Sequence, residues 1–196
     1  MNKAIRILRD EHRSISAVLQ GLQALARKAQ DPSLQPEFLV FHAMIHYIDA
    51  FPERLHHPKE DRYLFARLGE RAPEARALIK ELLAEHVEGA RLVRDLEQAL
   101  FAFETQGRSR AAGFAAAVDA YARFHWEHMR KEEHELLPLA ERKLTGEDWR
   151  EIGEAFSGND DPIADLREHD LAALFSRIVS LAPDPVGIGE RWKNAG

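Results

Sequence analysis

Two histidine–glutamate pairs are the residues of this chain best suited to chemistry. His56 precedes Glu60 by four positions, and His128 precedes Glu132 by the same interval. In an α-helix such residues lie on one face, a turn apart, so an imidazole and a carboxylate can bind one metal ion together. None of the other eight histidines has a glutamate four positions later. The repeated spacing predicts a metal site shared by two helices.

The elements that must position these pairs are helical. Apolar residues at helical spacing predict four long helices and no strand. Short turns between the helices indicate an all-α, up-down-up-down four-helix bundle. Pro52 and Pro58 are expected to kink or break the second helix, and Pro58 lies inside the first pair. The predicted helices cover about residues 2–30, 36–69, 73–105 and 110–143.

The chain is predicted to have two parts. Residues 1–143 form the bundle, and residues 144–196 form a C-terminal helical extension packed on it, with an irregular tail. Thr145 and Asp148 have the spacing of a capping box, which predicts a short helix over 147–156. A last helix is expected over about 162–181.

Composition restricts the classes of function. The chain has 196 residues, 45% hydrophobic and 31% charged, as expected for a globular protein. A net charge of −6 gives no electrostatic basis for nucleic-acid binding. The absence of cysteine excludes thiolate zinc sites and iron–sulfur clusters. No apolar run approaches the ~20 residues of a membrane span, so we expect a cytoplasmic protein that does not enter a membrane.

His12 and His86 extend the metal site to the other two helices. Each lies within an apolar stripe, where a lone histidine is ordinarily a core residue with one hydrogen bond. Considered with the two pairs, they give every long helix one inward histidine. Four imidazoles and two carboxylates suit iron, with manganese or zinc as alternatives. The carboxylates and solvent could bridge two ions.

Three further residues are second-tier candidates. Glu53 and His56 form a Glu-x-x-His unit like that of ferritin-like bundles, but a second unit is missing. Glu53 itself is assigned to the polar side of its helix. His125, a turn before His128, could be a ligand, an outer donor or a gate. His57 points about a quarter-turn from His56 and could be an alternative ligand if Pro58 distorts the helix. Surface positions are expected for His42, His46, His134 and His169.

These motifs resemble those of the hemerythrin-like proteins, the HHE cation-binding family, over about residues 1–142. The resemblance implies a four-helix bundle around a non-haem di-iron centre. The matching segments are Asp10-Glu11-His12, His56-His57-Pro58-Lys59-Glu60, Glu85-His86, and His128-x-x-Lys131-Glu132-Glu133 followed by Leu136-Leu137-Pro138. The implied ligands are His12, His56, Glu60, His86, His128 and Glu132.

One departure concerns the third helix. Oxygen-carrying hemerythrins have two histidines a turn apart there, whereas this chain has Leu82 and Ala90 a turn either side of His86. The resemblance is therefore closer to bacterial and regulatory members, which sense or handle oxygen, nitric oxide, peroxide or iron.

Three functions follow from these residues. The first is a di-iron protein that binds or senses a diatomic molecule, peroxide or iron, favoured over substrate turnover because no organic-substrate motif is recognised. The second is an oxidoreductase that reduces peroxide or oxidises iron, with His125, Glu53 and His57 handling protons. The third is a metal-free helical interaction module. A homodimer is left open.

Overall fold

The computed structural model describes residues 3–157, which form five helices. Helices α1–α4 form the expected up-down-up-down bundle, and the predicted all-α fold is confirmed. The helices are α1 (Lys3–Lys28), α2 (residues 38–71), α3 (Arg76–Gln106), α4 (residues 111–143) and α5 (Gly146–Ser157). The helix expected over 162–181 lies outside the described residues. Within residues 3–157, no helix is long and apolar enough to cross a membrane.

The core consists of two apolar clusters separated by a polar layer. One cluster contains Leu22, Phe41 and Phe114, and the other contains Ile5 and Leu136. Burial of these side chains stabilises the bundle through the hydrophobic effect. Histidines and glutamates occupy the layer between the clusters, so the fold holds them away from solvent. They are His12, His56, His57, Glu60, His86, His125, His128 and Glu132.

Widened turns interrupt α2 and α4 at the polar layer. In α2, π-helical segments Asp49–His56 and Glu60–Phe65 flank a short α-helical segment. In α4, a π-helical segment covers Glu132–Leu136. Pro52 lies within the first of these segments, and the amide of His57 donates to its carbonyl, five residues back. Helix α2 therefore continues through both prolines, with a widened turn containing Pro52 and another following Pro58. Such turns are frequent at functional sites.

Helix α5 packs beside the N-terminal end of α1. Its predicted capping box is present, because the Asp148 amide donates to Thr145 Oγ1 and the Thr145 amide donates to Asp148 Oδ2. Arg71 of α2 donates two hydrogen bonds to the Asp148 carboxylate, at 3.0 and 3.1 Å. The expected helix over 147–156 is thus found, whereas the division of the chain into two domains stays a prediction.

The turn between α3 and α4 depends on Gly107. Its φ of 78° and ψ of −164° are accessible essentially to glycine alone, and among residues 3–157 it is the one position with positive φ. Arg108, next in the chain, donates hydrogen bonds to the carbonyls of Asp31 and Leu34 between α1 and α2. This contact links the two inter-helix turns at one end of the bundle.

Candidate metal centre

All six residues predicted as ligands lie together in the polar layer. None is more than 7% exposed. Their donor atoms, with those of His57, form two groups, each with all donors within 4.8 Å of one another. Glu60 belongs to both groups. The first contains His12, His56, Glu60 and Glu132, and the second contains His57, Glu60, His86 and His128.

The two carboxylates lie between the groups. Each directs one oxygen toward histidines of the first group and its other oxygen toward histidines of the second. This arrangement is suited to bridging two cations. The distances are 3.4 Å from Glu60 Oε1 to His56 Nε2, 3.6 Å from Glu60 Oε2 to His86 Nε2, 3.4 Å from Glu132 Oε2 to His12 Nε2, and 3.3 Å from Glu132 Oε1 to His128 Nε2.

A second shell of carboxylates orients four of the imidazoles. Each Nδ1 contacts an acidic side chain from another helix, which is the usual way to fix a metal-binding histidine. These acids are not among the predicted site residues, although each directly adjoins a predicted ligand in the chain. The Nδ1–oxygen pairs are His12–Glu133 at 2.9 Å, His56–Glu11 at 2.8 Å, His86–Asp61 at 2.7 Å and His128–Glu85 at 2.9 Å.

On the inner face of the layer, the Nε2 nitrogens and the carboxylate oxygens are placed where they could bind metal ions. When these rings are neutral and Nδ1–H is donated outward, as they would be with bound metal, each Nε2 presents its lone pair inward. Nε2 of His12 lies 3.2 Å from that of His56, and Nε2 of His86 lies 3.0 Å from that of His128. Two nitrogens each about 2.1 Å from one ion, at a right angle, lie about 3.0 Å apart. Glu60 Oε2 and both oxygens of Glu132 have no hydrogen bond within residues 3–157. These donors fit bound cations.

The pKa values show how protons compensate the buried carboxylates. Burial opposes protonation of His12, but the carboxylates of Glu132, Glu133 and Glu60 raise its pKa well above the ordinary value. Burial likewise opposes protonation of His128, yet its carboxylate neighbours, chiefly Glu132, raise its pKa to about 10. Burial favours the neutral form of Glu132, but His128 and His12 lower its pKa well below the ordinary value. Cations and protons therefore compete for these sites.

Comparison with known protein families agrees with this geometry. The family model of the hemerythrin HHE cation-binding domain matches residues 3–140. The chain belongs to this family. No curated protein sequence matches the chain significantly. Cation binding is the property that the family description gives, and the two donor groups fit it.

An approximate twofold symmetry relates the halves of this HHE domain. Glu11 contacts His56 as Glu85 contacts His128, and Asp61 contacts His86 as Glu133 contacts His12. The predicted echo between α2 and α4 therefore extends to the outer carboxylates. The symmetry is broken at two pairs of equivalent positions, where His57 corresponds to Met129 and Glu53 corresponds to His125.

His57 is placed among the donors of the HHE domain rather than beside them. Its ring stacks on His86 with centroids 4.0 Å apart and planes 9° apart. Burial and the neighbouring imidazoles, His86 first, lower the pKa of His57 well below its ordinary value, so the ring is neutral at pH 7. The widened turn ending at His56 accounts for the inward placement. His57 is thus a fifth imidazole among the donor atoms of the two groups.

Glu53 is also buried, and its assignment to the polar side of α2 is wrong. Its side chain is 4% exposed and contacts α3 at Gly89 and α4 at Tyr121. Tyr121 of α4 donates a hydrogen bond of 2.9 Å to Glu53 Oε1. Nε2 of the fully buried His125 lies 3.4 Å from the Tyr121 hydroxyl and 4.0 Å from Glu53 Oε1. These residues form a buried polar cluster next to His57.

The remaining described histidines and the surface grooves complete the description. His42, His46 and His134 are exposed, as predicted, whereas His169 lies outside the described residues. A groove of about 520 Å³ between α1 and α4 reaches His12 and Glu133. Trp126 and Met129 of α4 also line this groove. Another groove, of about 420 Å³, lies between α2 and α5, and none of the predicted ligands lines it.

Proposed function

We propose that the bundle holds two iron ions and binds a small exogenous molecule at one of them. The observation that carries this proposal is the pair of buried donor groups that share Glu60. Five imidazoles and two carboxylates give each ion a mixed nitrogen and oxygen environment suited to redox iron. The proposed ligands are His12, His56, His57, Glu60, His86, His128 and Glu132.

The two ions are expected to differ in the number of protein donors. His57 adds a third imidazole to the group of His86 and His128, whereas the group of His12 and His56 has two. At the position equivalent to His57, the second half of the domain has Met129. The groove between α1 and α4 ends at His12. If two ions are bound, the one held by His12 and His56 would have fewer protein donors and a ligand that lines the groove, so a diatomic molecule or peroxide would bind on that side.

Iron is proposed over zinc and manganese on chemical grounds. Zinc prefers four ligands in a tetrahedral arrangement, whereas the side of His57, His86 and His128 offers three imidazoles and an oxygen of each carboxylate. Manganese prefers oxygen-rich sites, and this site is rich in nitrogen. When bound, iron supplies reversible one-electron chemistry. The protein supplies orientation through the outer carboxylates and excludes bulk water through burial.

An oxidoreductase reaction at the same centre is the second candidate. The observation that favours it is the buried cluster of Glu53, Tyr121 and His125 beside His57. Such groups can accept or deliver protons next to a metal site. Binding and turnover use the same residues, so peroxide consumption or iron oxidation by the loaded protein distinguishes them. Cytoplasmic localisation and a homodimer stay predictions.

The test is metal analysis combined with visible spectroscopy. We expect two iron ions per chain after iron-replete expression and a charge-transfer band that changes when azide is added to the oxidised protein. His12→Gln should weaken the azide response, whereas His46→Gln, at an exposed position of α2, should leave it unchanged. A wild-type protein without bound metal would contradict the proposal and leave the interaction module as the explanation.

A further inference from the structure

We propose that Glu53 positions His57 as the fifth imidazole of the centre, and that Gly89 and Tyr121 hold Glu53 in place. This inference rests on the proposed dinuclear centre. Glu53, Gly89 and Tyr121 would then account for the third imidazole that distinguishes one ion from the other. Glu53 acts through His57 and is a positioning residue.

His57 is the one imidazole of the five whose Nδ1 has no aligned outer carboxylate in the described part of the chain. Each of the other four imidazoles has its Nδ1 within 2.9 Å of an acidic oxygen. His57 Nδ1 lies 3.3 Å from Glu53 Oε2, and it forms no hydrogen bond within residues 3–157 because the pair is misaligned. At 3.3 Å the two atoms are already within hydrogen-bonding distance, so only the angle between them has to change. Nδ1–H then donates to Glu53, and Nε2 is left as the metal-binding atom.

Glu53 differs from the other four acids. Those acids are between 16% and 37% exposed, whereas the Glu53 side chain is 4% exposed. A buried carboxylate is costly unless its oxygens have partners. Tyr121 provides a partner for Oε1, and His57 Nδ1 lies 3.3 Å from Oε2. The orientation of the Glu53 carboxylate is therefore set by its contacts with the protein, because little of it reaches solvent.

Helix α3 approaches the Glu53 carboxylate closely at Gly89. A Cβ on Gly89 would lie 2.9 Å from Glu53 Oε1 and 3.3 Å from Oε2. Glycine in the middle of a helix is unfavourable relative to alanine. At Gly89 this residue leaves the space that the Glu53 carboxylate occupies. Substitution by alanine would displace Glu53 without removing any polar group.

The experiment is an anaerobic Co²⁺ titration of the purified metal-depleted protein. Visible absorption reports the geometry of each bound ion, and a competing chromophoric chelator gives two dissociation constants. We expect Glu53→Ala to weaken the binding of one Co²⁺ ion by about 10–100-fold, the usual effect of losing a carboxylate that orients a metal-binding histidine. The other ion should be affected far less. Gly89→Ala should act in the same direction, whereas Gly113→Ala, whose Cβ meets nothing within 4 Å, should leave both constants unchanged.

Two further measurements separate positioning from a general structural role. Glu53→Gln should restore most of the affinity, because its amide oxygen can still accept from His57. The melting temperature of metal-depleted Glu53→Ala should not fall, since the change removes a buried carboxylate. Wild-type affinities for both ions in Glu53→Ala and Gly89→Ala would overturn this inference alone. A wild-type protein that binds no Co²⁺ and no iron would overturn the dinuclear centre as well.

Discussion

The protonated histidines beside Glu132 should make the metal-depleted protein less stable as the pH rises. Burial opposes protonation of His128, but Glu132 and its other carboxylate neighbours raise its pKa from 6.5 to about 10. The folded chain therefore keeps a proton that the unfolded chain loses above pH 6.5. This contribution to stability is complete below pH 6.5 and disappears as the pH rises through about 10.

The size of the effect follows from proton linkage. One proton held by the folded state and not by the unfolded state lowers the free energy of unfolding by about 1.4 kcal/mol per pH unit. Between pH 7 and pH 9 the loss is about 3 kcal/mol. That is a large part of the roughly 5–15 kcal/mol that stabilises an ordinary domain. The raised pKa values of His12 and His56 act in the same direction.

Urea unfolding in the presence of EDTA, repeated from pH 6 to pH 10, measures this loss. His128→Gln should show a shallower pH dependence, whereas His46→Gln should follow the wild type. The iron-loaded protein should show the opposite trend in its metal-dependent stability, because an imidazole that binds an ion carries no proton at that nitrogen. A free energy of unfolding that is constant or rising between pH 7 and pH 9 in EDTA would refute the reasoning.

Three other predictions concern single residues. His128→Ala should lose metal, and without metal it should destabilise the fold by about 3–5 kcal/mol, because Glu132 stays buried without its nearest cation; metal analysis and urea unfolding check both. Asp148→Asn should remove a stabilisation that is present above pH 4 and lost as the pH falls through about 2, since Arg71 lowers the pKa of Asp148 to about 2; acid unfolding measures it. Gly107→Ala should cost about 1–3 kcal/mol in thermal unfolding because of its positive φ, whereas an alanine at Gly113 should be tolerated.

Periodicity was sufficient to predict the bundle and the six inward residues. Apolar spacing identified the helices, and spacing of four residues identified the two pairs. Both arguments need only that each helix is regular over one or two turns. Around His12 and His86 this condition holds, and both residues lie where the apolar stripe places them.

Regular periodicity could not place Glu53 and His57. A regular helix at about 100° per residue places Glu53 about 60° and His57 about 100° from His56, which does not decide whether either side chain points inward. The widened segment Asp49–His56 changes these angles. Pro52 and Pro58 indicated a distortion without giving its direction. The outer carboxylates were missed for a different reason. Their partners lie on other helices, and the register between helices depends on packing that no single helix reveals.

The outer carboxylates also limit how this centre can be transferred to another protein. For His12, His56, His86 and His128, no helix orients its own histidine, since each of these four Nδ1 contacts crosses to a neighbouring helix. The contacts run from α1 to α2, from α2 to α3, from α3 to α4 and from α4 back to α1. A designer who grafts one or two of these helices onto a new scaffold would carry over imidazoles without the groups that aim them. The smallest unit that can be transplanted is the complete ring of four helices.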